Sequence, residues 1–245
     1  MKSIDWDERQ KQLQTIADEA KQKARENKSV YDCVIGVSGG KDSTFQAITA
    51  RDELGLRPLL VNGEPEGISE IGAKNIENLK QLGFDVISLR PNPQVLKKMV
   101  KKDFYEHLNF GKATEASLWA SAYIIADKFN IPLIIQGENA GLTIGVSKLA
   151  FGKDDDALEV FSLDTLKSGY DRYIGHQGIT EEDLNMYHFD LNSVKEKKIR
   201  AIWLQYYKKE WSLNHNAEFS IARGLKIKPE YTDPYEMGTY CKFSQ

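Results

Sequence analysis

Ten residues near the start of the chain, Val34-Ile35-Gly36-Val37-Ser38-Gly39-Gly40-Lys41-Asp42-Ser43, restrict its fold more than any other stretch. A mostly apolar run passes straight into a glycine pair, a lysine, an aspartate and two serines, the pattern of a buried strand turning sharply into the start of a helix. Gly39 and Gly40 let the backbone come close to a ligand. The free N–H groups of the following helix's first turn then face that ligand with the positive end of the helix dipole behind them, and phosphate is the natural guest. Two familiar phosphate loops fail on counting. A Walker A loop requires glycine where Ile35 stands and Ser or Thr where Asp42 stands, and a dinucleotide fingerprint starting at Gly36 requires glycine in place of Ser38. A plain turn capped by Asp42 or Ser43 needs one glycine and one cap residue, not the unbroken polar and glycine run found here.

The flanking pattern places this turn in a βα alternation. Residues 5–27 carry Trp6, Leu13, Ile16, Ala17 and Ala20 near helical spacing and predict an amphipathic leading helix. A first strand over 31–37 enters the loop, a helix over 43–54 ends at Gly55, and a second strand covers 57–62. Strand, turn, helix, strand is a right-handed parallel unit, and its ligand crevice lies at the C-terminal strand ends. Helices over 68–82, 94–108 and 113–129 alternate with strands over 84–89 and 131–136, and a fifth strand is expected over 201–207. The lysines of 94–108, Lys97, Lys98, Lys101 and Lys102, read as a solvated face. The expected fold is α/β, a Rossmann-like, doubly wound parallel sheet of about five strands with helical additions. Its units are a leading helix over 1–28, the α/β domain over 29–212 with a long loop and helical insertion over 137–190, and a C-terminal helix and irregular tail over 213–245.

Past the fourth strand come Gly137, Glu138 and Asn139, which places a carboxylate at the crevice, where it can serve Mg²⁺ or a substrate donor. The glycine-punctuated stretch up to Lys153 reads as a substrate loop or lid. Asp154-Asp155-Asp156 reads as a solvated helix start, since contiguous acids cannot all face one ion. Helices are expected over 155–190, with Thr180-Glu181-Glu182-Asp183 as a capping stretch. Tyr170, Asp171, Arg172, Tyr173 and His176 form a polar aromatic patch that fits either a sugar-lining wall or plain surface.

Composition narrows the partners. With 245 residues, 41% of them hydrophobic, the chain can bury a sizeable core. No apolar run reaches membrane-spanning length and the N-terminus is charged where a signal peptide is apolar, so a cytoplasmic protein is expected. A net charge of −3 supplies no basic field for RNA or DNA. Cys33 and Cys241 imply no disulfide framework, and the four histidines lack the spacing of a zinc site.

The run Ser38-Gly39-Gly40-Lys41-Asp42-Ser43 matches in full the Ser-Gly-Gly-x-Asp-Ser signature of the PP-loop superfamily, the N-type ATP pyrophosphatases, which the chain therefore resembles. Within that group it is most similar to the N-acetyl sugar amidotransferases of surface-polysaccharide and nonulosonic acid synthesis. The similarity runs through Ile4-Asp5-Trp6, residues 31–44, Asn75-Ile76-Glu77-Asn78-Leu79, Pro91-Asn92-Pro93 and residues 131–138. That family also carries a cysteine-rich segment ahead of the leading helix and further chain past the equivalent of residue 245.

The resemblance implies cleavage of ATP between its α and β phosphates, with AMP passing to an acetamido oxygen and ammonia then displacing it to leave an acetamidine. It implies phosphate held by Ser38, Gly39, Gly40 and Ser43, with Val37 and Gly137 beside it. Lys41 would counter the charge, and Asp42, with Glu138, would address Mg²⁺. Val61 and Asn62, at the end of the second strand, are candidates for the adenine edge. Ammonia needs a source, and neither Cys33 nor Cys241 sits where a glutaminase nucleophile would, so a separate class I glutaminase is the expected partner. Three alternatives share part of the pattern: a tRNA-thiolating or lysidine-forming enzyme, a small-molecule amide ligase of the NAD or GMP synthetase sort, and a non-catalytic nucleotide-binding module.

Overall fold

A computed structural model describes residues 4–64, 67–137 and 170–227. Strands β1 (Cys33–Gly36), β2 (Pro58–Gly63), β3 (Asp85–Leu89), β4 (Leu133–Gln136) and β5 (Arg200–Trp203) form one sheet in the order β3-β2-β1-β4-β5. Every described pairing is parallel. The chain steps outward from β1 to β3, then crosses to the other side of β1 to lay down β4 and β5. The order therefore reverses between β1 and β4, the place where an open α/β sheet leaves a crevice at its C-terminal edge.

Alternation along β1 explains the layers. Cys33 and Ile35, with Leu60, Leu133, Ile135 and Ile202, pack beneath helices α1 (Trp6–Glu26) and α2 (Lys41–Ile48). Val34, with Leu59, Val61, Ile134 and Ala201, faces Ala122, Tyr123 and Ala126 of the helix Lys112–Lys128 on the other side. Two buried faces are why the central strands read as continuous apolar runs. Helix α3 (Glu70–Gln81) joins β2 to β3, and α4 (Pro93–His107) leads from β3 into α5 (Lys112–Lys128). Caps fix several starts: Asp5 accepts from Glu8 N–H at 3.0 Å, Ser69 from Gly72 N–H at 3.0 Å and Asn92 from Gln94 N–H at 2.9 Å, with Pro93 in α4's first turn.

Three expectations change. The helix expected over 43–54 is α-helical only to Ile48 and finishes as a π-turn over Thr49–Glu53, in which Leu54 N–H reaches back to Thr49 O at 3.2 Å. The fifth strand stops at Trp203 and continues as a 3-10 turn, Leu204–Tyr206. The described part of 155–190 holds 3-10 turns at Asp171–Tyr173, His176–Gly178 and Glu182–Leu184 in place of long helices. The Thr180 to Asp183 capping pattern is nonetheless real: Thr180 N–H donates to Asp183 Oδ2 at 3.0 Å and Asp183 N–H to Thr180 Oγ1 at 3.4 Å.

These turns hold because they share a small core with α4, made of Val95, Leu96, Met99, Ala113, Tyr173, Ile179, Leu184 and Tyr187. Inside it the fully buried Asp103 accepts from Arg172 Nη2 and, at 2.6 Å, from Tyr173 OH. Burial and the neighbouring Asp103 push the Tyr173 phenol up, so it stays a donor. Arg172 and Tyr173, read from sequence as a sugar wall or plain surface, are therefore largely internal fastenings. Among the α4 lysines, Lys98 donates to Gln177 O at 2.8 Å and Lys102 to Glu106 at 2.5 Å.

From there the chain descends to α6 (Leu191–Glu196), β5 and α7 (Leu213–Ile221), whose starts Asp190 and Ser212 cap. At the lower end of α5 the carboxylate of Asp127 accepts from Ser193 Oγ at 2.5 Å and pairs with Lys197 Nζ at 2.9 Å. Burial alone would raise the Asp127 pKa, but these partners outweigh it and hold the group below its ordinary value. A depressed carboxylate pKa stabilises the fold above the unfolded value of about 3.9 and loses that contribution as pH falls through the folded value. Asp127→Ala is expected to lower stability by about 1–3 kcal/mol at pH 7. Urea denaturation at several pH values should show the gap from wild type closing below about pH 4.

Candidate functional site

The geometry of the glycine turn follows from how β1 ends. Beyond Gly36 the ladder runs on for one residue, with Val37 N–H donating to Val61 O at 2.8 Å. The Val37 carbonyl would next face the end of β2 unpaired, and the buried side-chain amide of Asn62 fills that place, donating to it at 2.8 Å. Held on both sides, the chain turns at Gly39 with φ +74°, a conformation that costs an L-residue about 1–2 kcal/mol. Gly40 is the N-cap of α2 in ordinary extended geometry, φ −93° and ψ 173°. A Cβ there would meet nothing nearer than Ser38 Oγ at 3.4 Å. The two glycines thus differ: the backbone requires Gly39, whereas no local strain requires Gly40.

Gly40 offers no side-chain cap to α2, unlike the residues that start α1, α3, α4, α6 and α7. The hydroxyls of Ser43 and Thr44 turn back onto the Gly40 carbonyl at 3.1 and 2.9 Å. This fixes the turn while leaving their lone pairs as acceptors. Lys41 Nζ lies 2.6 Å from Asp42 Oδ2, and Asp42 Oδ1 accepts from Asn216 Nδ2 at 2.7 Å. Ser38 is exposed at the tip. Across the switch point, Gly137, just past β4, lies so close to α2 that a Cβ would clash with the Gln46 side-chain amide and lie 3.2 Å from the Trp211 ring. Its carbonyl accepts from Gln205 N–H at 3.1 Å.

The structure therefore brings together Val37, Ser38, Gly39, Gly40, Lys41, Asp42, Ser43 and Gly137. Val61 and Asn62, the expected adenine edge, sit beside them on β2. Val61 is fully enclosed within the α5 core, and the Asn62 amide is spent on the loop. Glu138, the stretch up to Lys153 and Asp154 to Asp156 lie outside the described residues, as do Pro229, Pro234, Gly238 and Cys241. Cys33 is completely buried, and burial, followed by the charge of Asp32, pushes its thiol pKa up, so it is no nucleophile at neutral pH.

The C-terminal helix expected past residue 213 is present, but its packing behind the loop is not evident from the sequence. Phe45 of α2 is ringed by Trp211, His215 and Phe219, all edge-on at 5.0–5.5 Å between centroids. Helix α7 thereby lies across α2, and Ser220 Oγ reaches the Lys41 carbonyl at 2.8 Å. Just ahead of Trp211, the ammonium of Lys208 is buried between Glu53 and Glu210 at 2.6 and 2.7 Å. Burial works against that charge, but the two carboxylates outweigh it and the pKa rises. The i,i+4 spacing of Asn216 and Ser220 is visible in the sequence, but their partners lie more than 170 residues away.

No family model matches the chain, and no curated protein matches it. Among solved structures it is similar to an NMN synthetase from Francisella tularensis, at 14% identity over 94% of this chain and 100% of that one, with a TM-score of 0.41. An NH3-dependent NAD synthetase from Campylobacter jejuni gives 15% identity, coverage of 94% and 100%, and a TM-score of 0.41. A glutamine-dependent NAD+ synthetase from Acinetobacter baumannii gives 16% identity, coverage of 92% and 48%, and a TM-score of 0.36. Similarity at this level carries no inference about activity.

The contrast between the two glycines is testable. Gly39→Ala should lose about 1–2 kcal/mol of stability by urea denaturation. Gly40→Ala should change stability by less than about 1 kcal/mol, because the lower entropy of the unfolded chain is offset by the poorer N-cap that alanine makes. If Gly40 is glycine so that a ligand can approach, its alanine variant should still lose ATP affinity in a calorimetric titration, and unchanged affinity would refute that role.

Proposed function

We propose that the chain is a PP-loop ATP pyrophosphatase acting as an amidotransferase, which adenylates the acetamido oxygen of an N-acetyl sugar and replaces that oxygen with ammonia. The observation that carries the ATP half is the turn from β1 into α2. It is a glycine-shaped, uncapped helix start at the switch point of a parallel sheet, with Lys41 and Asp42 in its first turn. The acceptor half rests on the sequence resemblance.

In this reading the N–H groups from Gly39 to Ser43 and the Ser43 hydroxyl hold the pyrophosphate part of ATP, and Lys41 exchanges its bond to Asp42 for one to a phosphate oxygen. Mg²⁺ commonly takes one or two carboxylates together with phosphate oxygens, so a loop with one carboxylate, Asp42, fits it, and Glu138 is a second candidate ligand. When bound, Mg²⁺ supplies neutralisation of phosphate charge. The acetamido oxygen attacks the α-phosphorus and pyrophosphate departs. Ammonia then adds to the activated carbon, and AMP leaves with the former acetamido oxygen. The protein's own contribution is mainly to align the groups and hold the departing charge. The buried Cys33 cannot serve as a glutaminase nucleophile, and in this reading ammonia comes from a separate class I glutaminase.

The test combines the protein, Mg²⁺-ATP and ammonium with a panel of free and nucleotide-linked N-acetyl sugars carrying ¹⁸O in the acetamido group. The expected products are a sugar in which an oxygen has been replaced by NH and AMP that has gained the label. AMP formed only with tRNA, or only with a carboxylic acid acceptor, would contradict the proposal. Efficient use of glutamine by the chain alone would contradict the separate glutaminase.

A further inference from the structure

Asn216 is a costly residue for its position. It lies in the interior of α7, where asparagine is a poor helix former, and it is completely buried. Its Nδ2 donates to Asp42 Oδ1 at 2.7 Å, but its own Oδ1, also buried, has no hydrogen-bond partner among the described residues. A buried amide left half-satisfied works against stability, and an apolar residue would suit the helix better. Asn216 nevertheless stands one turn from Ser220, whose hydroxyl holds the Lys41 carbonyl. The two side chains share one face of α7 and grip adjacent residues of the loop, Ser220 by the backbone and Asn216 by the carboxylate.

We infer that Asn216 is a positioning residue that orients the Asp42 carboxylate toward a phosphate-bound divalent cation. This rests on the reading of the loop as a pyrophosphate cradle. Asp42 has two oxygens and, in this structure, two partners: Oδ2 faces the Lys41 ammonium at 2.6 Å and Oδ1 the Asn216 amide. A phosphate competes with Asp42 for Lys41 and frees Oδ2. Asn216 keeps Oδ1 tied to the rear helix, so the carboxylate cannot swing after the lysine, and Oδ2 remains aimed into the site as a single acceptor. Partners one shell out from a metal orient the ligating group in this way, and their loss commonly weakens metal affinity about 10- to 100-fold.

The experiment titrates wild type, Asn216→Ala and Ser220→Ala with inorganic pyrophosphate, with and without Mg²⁺, by calorimetry, and records each thermal midpoint. Asn216→Ala should bind pyrophosphate without metal as wild type does, but lose about tenfold or more of the tightening that Mg²⁺ brings. Ser220→Ala, acting on the loop backbone, should weaken both titrations by the same factor. In an Asp42→Asn background, Asn216→Ala should add nothing to the loss of the Mg²⁺ effect. Should the alanine variant not fold, Asn216→Ser, too short to keep the bond to Asp42, gives the same readout. A full Mg²⁺ effect in the Asn216 variant, or equal losses with and without metal, would overturn the inference. Failure of the wild-type protein to bind pyrophosphate at all would instead overturn the reading of the loop.

Discussion

The hydrogen bond from the Asn62 side chain to the Val37 carbonyl is the contact on which the candidate site most depends. A parallel strand that ends in a crevice leaves its last backbone groups without a ladder partner, and a buried carbonyl without one would be costly. Supplying that partner from the neighbouring strand lets β1 stop at a defined atom, after which Gly39 alone makes the reversal into α2. The apolar sheet beneath makes the stop rigid, because β1 is enclosed on both faces and paired on both edges. The loop geometry thus follows from the strand's end.

Behind the turn the chain uses polar contacts where a purely stable protein would use apolar ones. Asn216, Ser220 and Asn62 are all buried, and each spends a side-chain donor on the loop or on the residue leading into it. The aromatic ring around Phe45 supplies the packing that holds α7 against α2. Elsewhere, buried polar groups fasten elements to each other, as Asp103 does with Arg172 and Tyr173, and Asp127 with Ser193 and Lys197. The difference lies in what is held: element to element in those two cases, the stretch from Val37 to Asp42 in the first.

Much of this was legible in the sequence, because its strongest signals are local. Apolar runs bounded by glycine placed β1, β2 and β4 within one or two residues, and helical spacing found α1, α3, α4 and α5 with similar accuracy. The loop from Ser38 to Ser43 stands where its residues indicated. What was lost depends on contacts distant in the chain. Val61 packs its side chain into the face covered by α5, which a strand's period alone does not reveal. Tyr173 and Arg172 read as a wall or as plain surface because their partner, Asp103, sits on another helix. A helix is expected where α7 lies, but only the tertiary packing of Phe45 shows that it backs the loop.

In the proposed function the turn from Val37 to Ser43 holds pyrophosphate. Amide hydrogen exchange read by mass spectrometry, with inorganic pyrophosphate and Mg²⁺ or with orthophosphate in its place, tests it most directly. Peptides covering Val37 to Thr44 should exchange much more slowly with pyrophosphate and little more slowly with orthophosphate. Equal protection by the two anions, or protection confined to other parts of the chain, would contradict it.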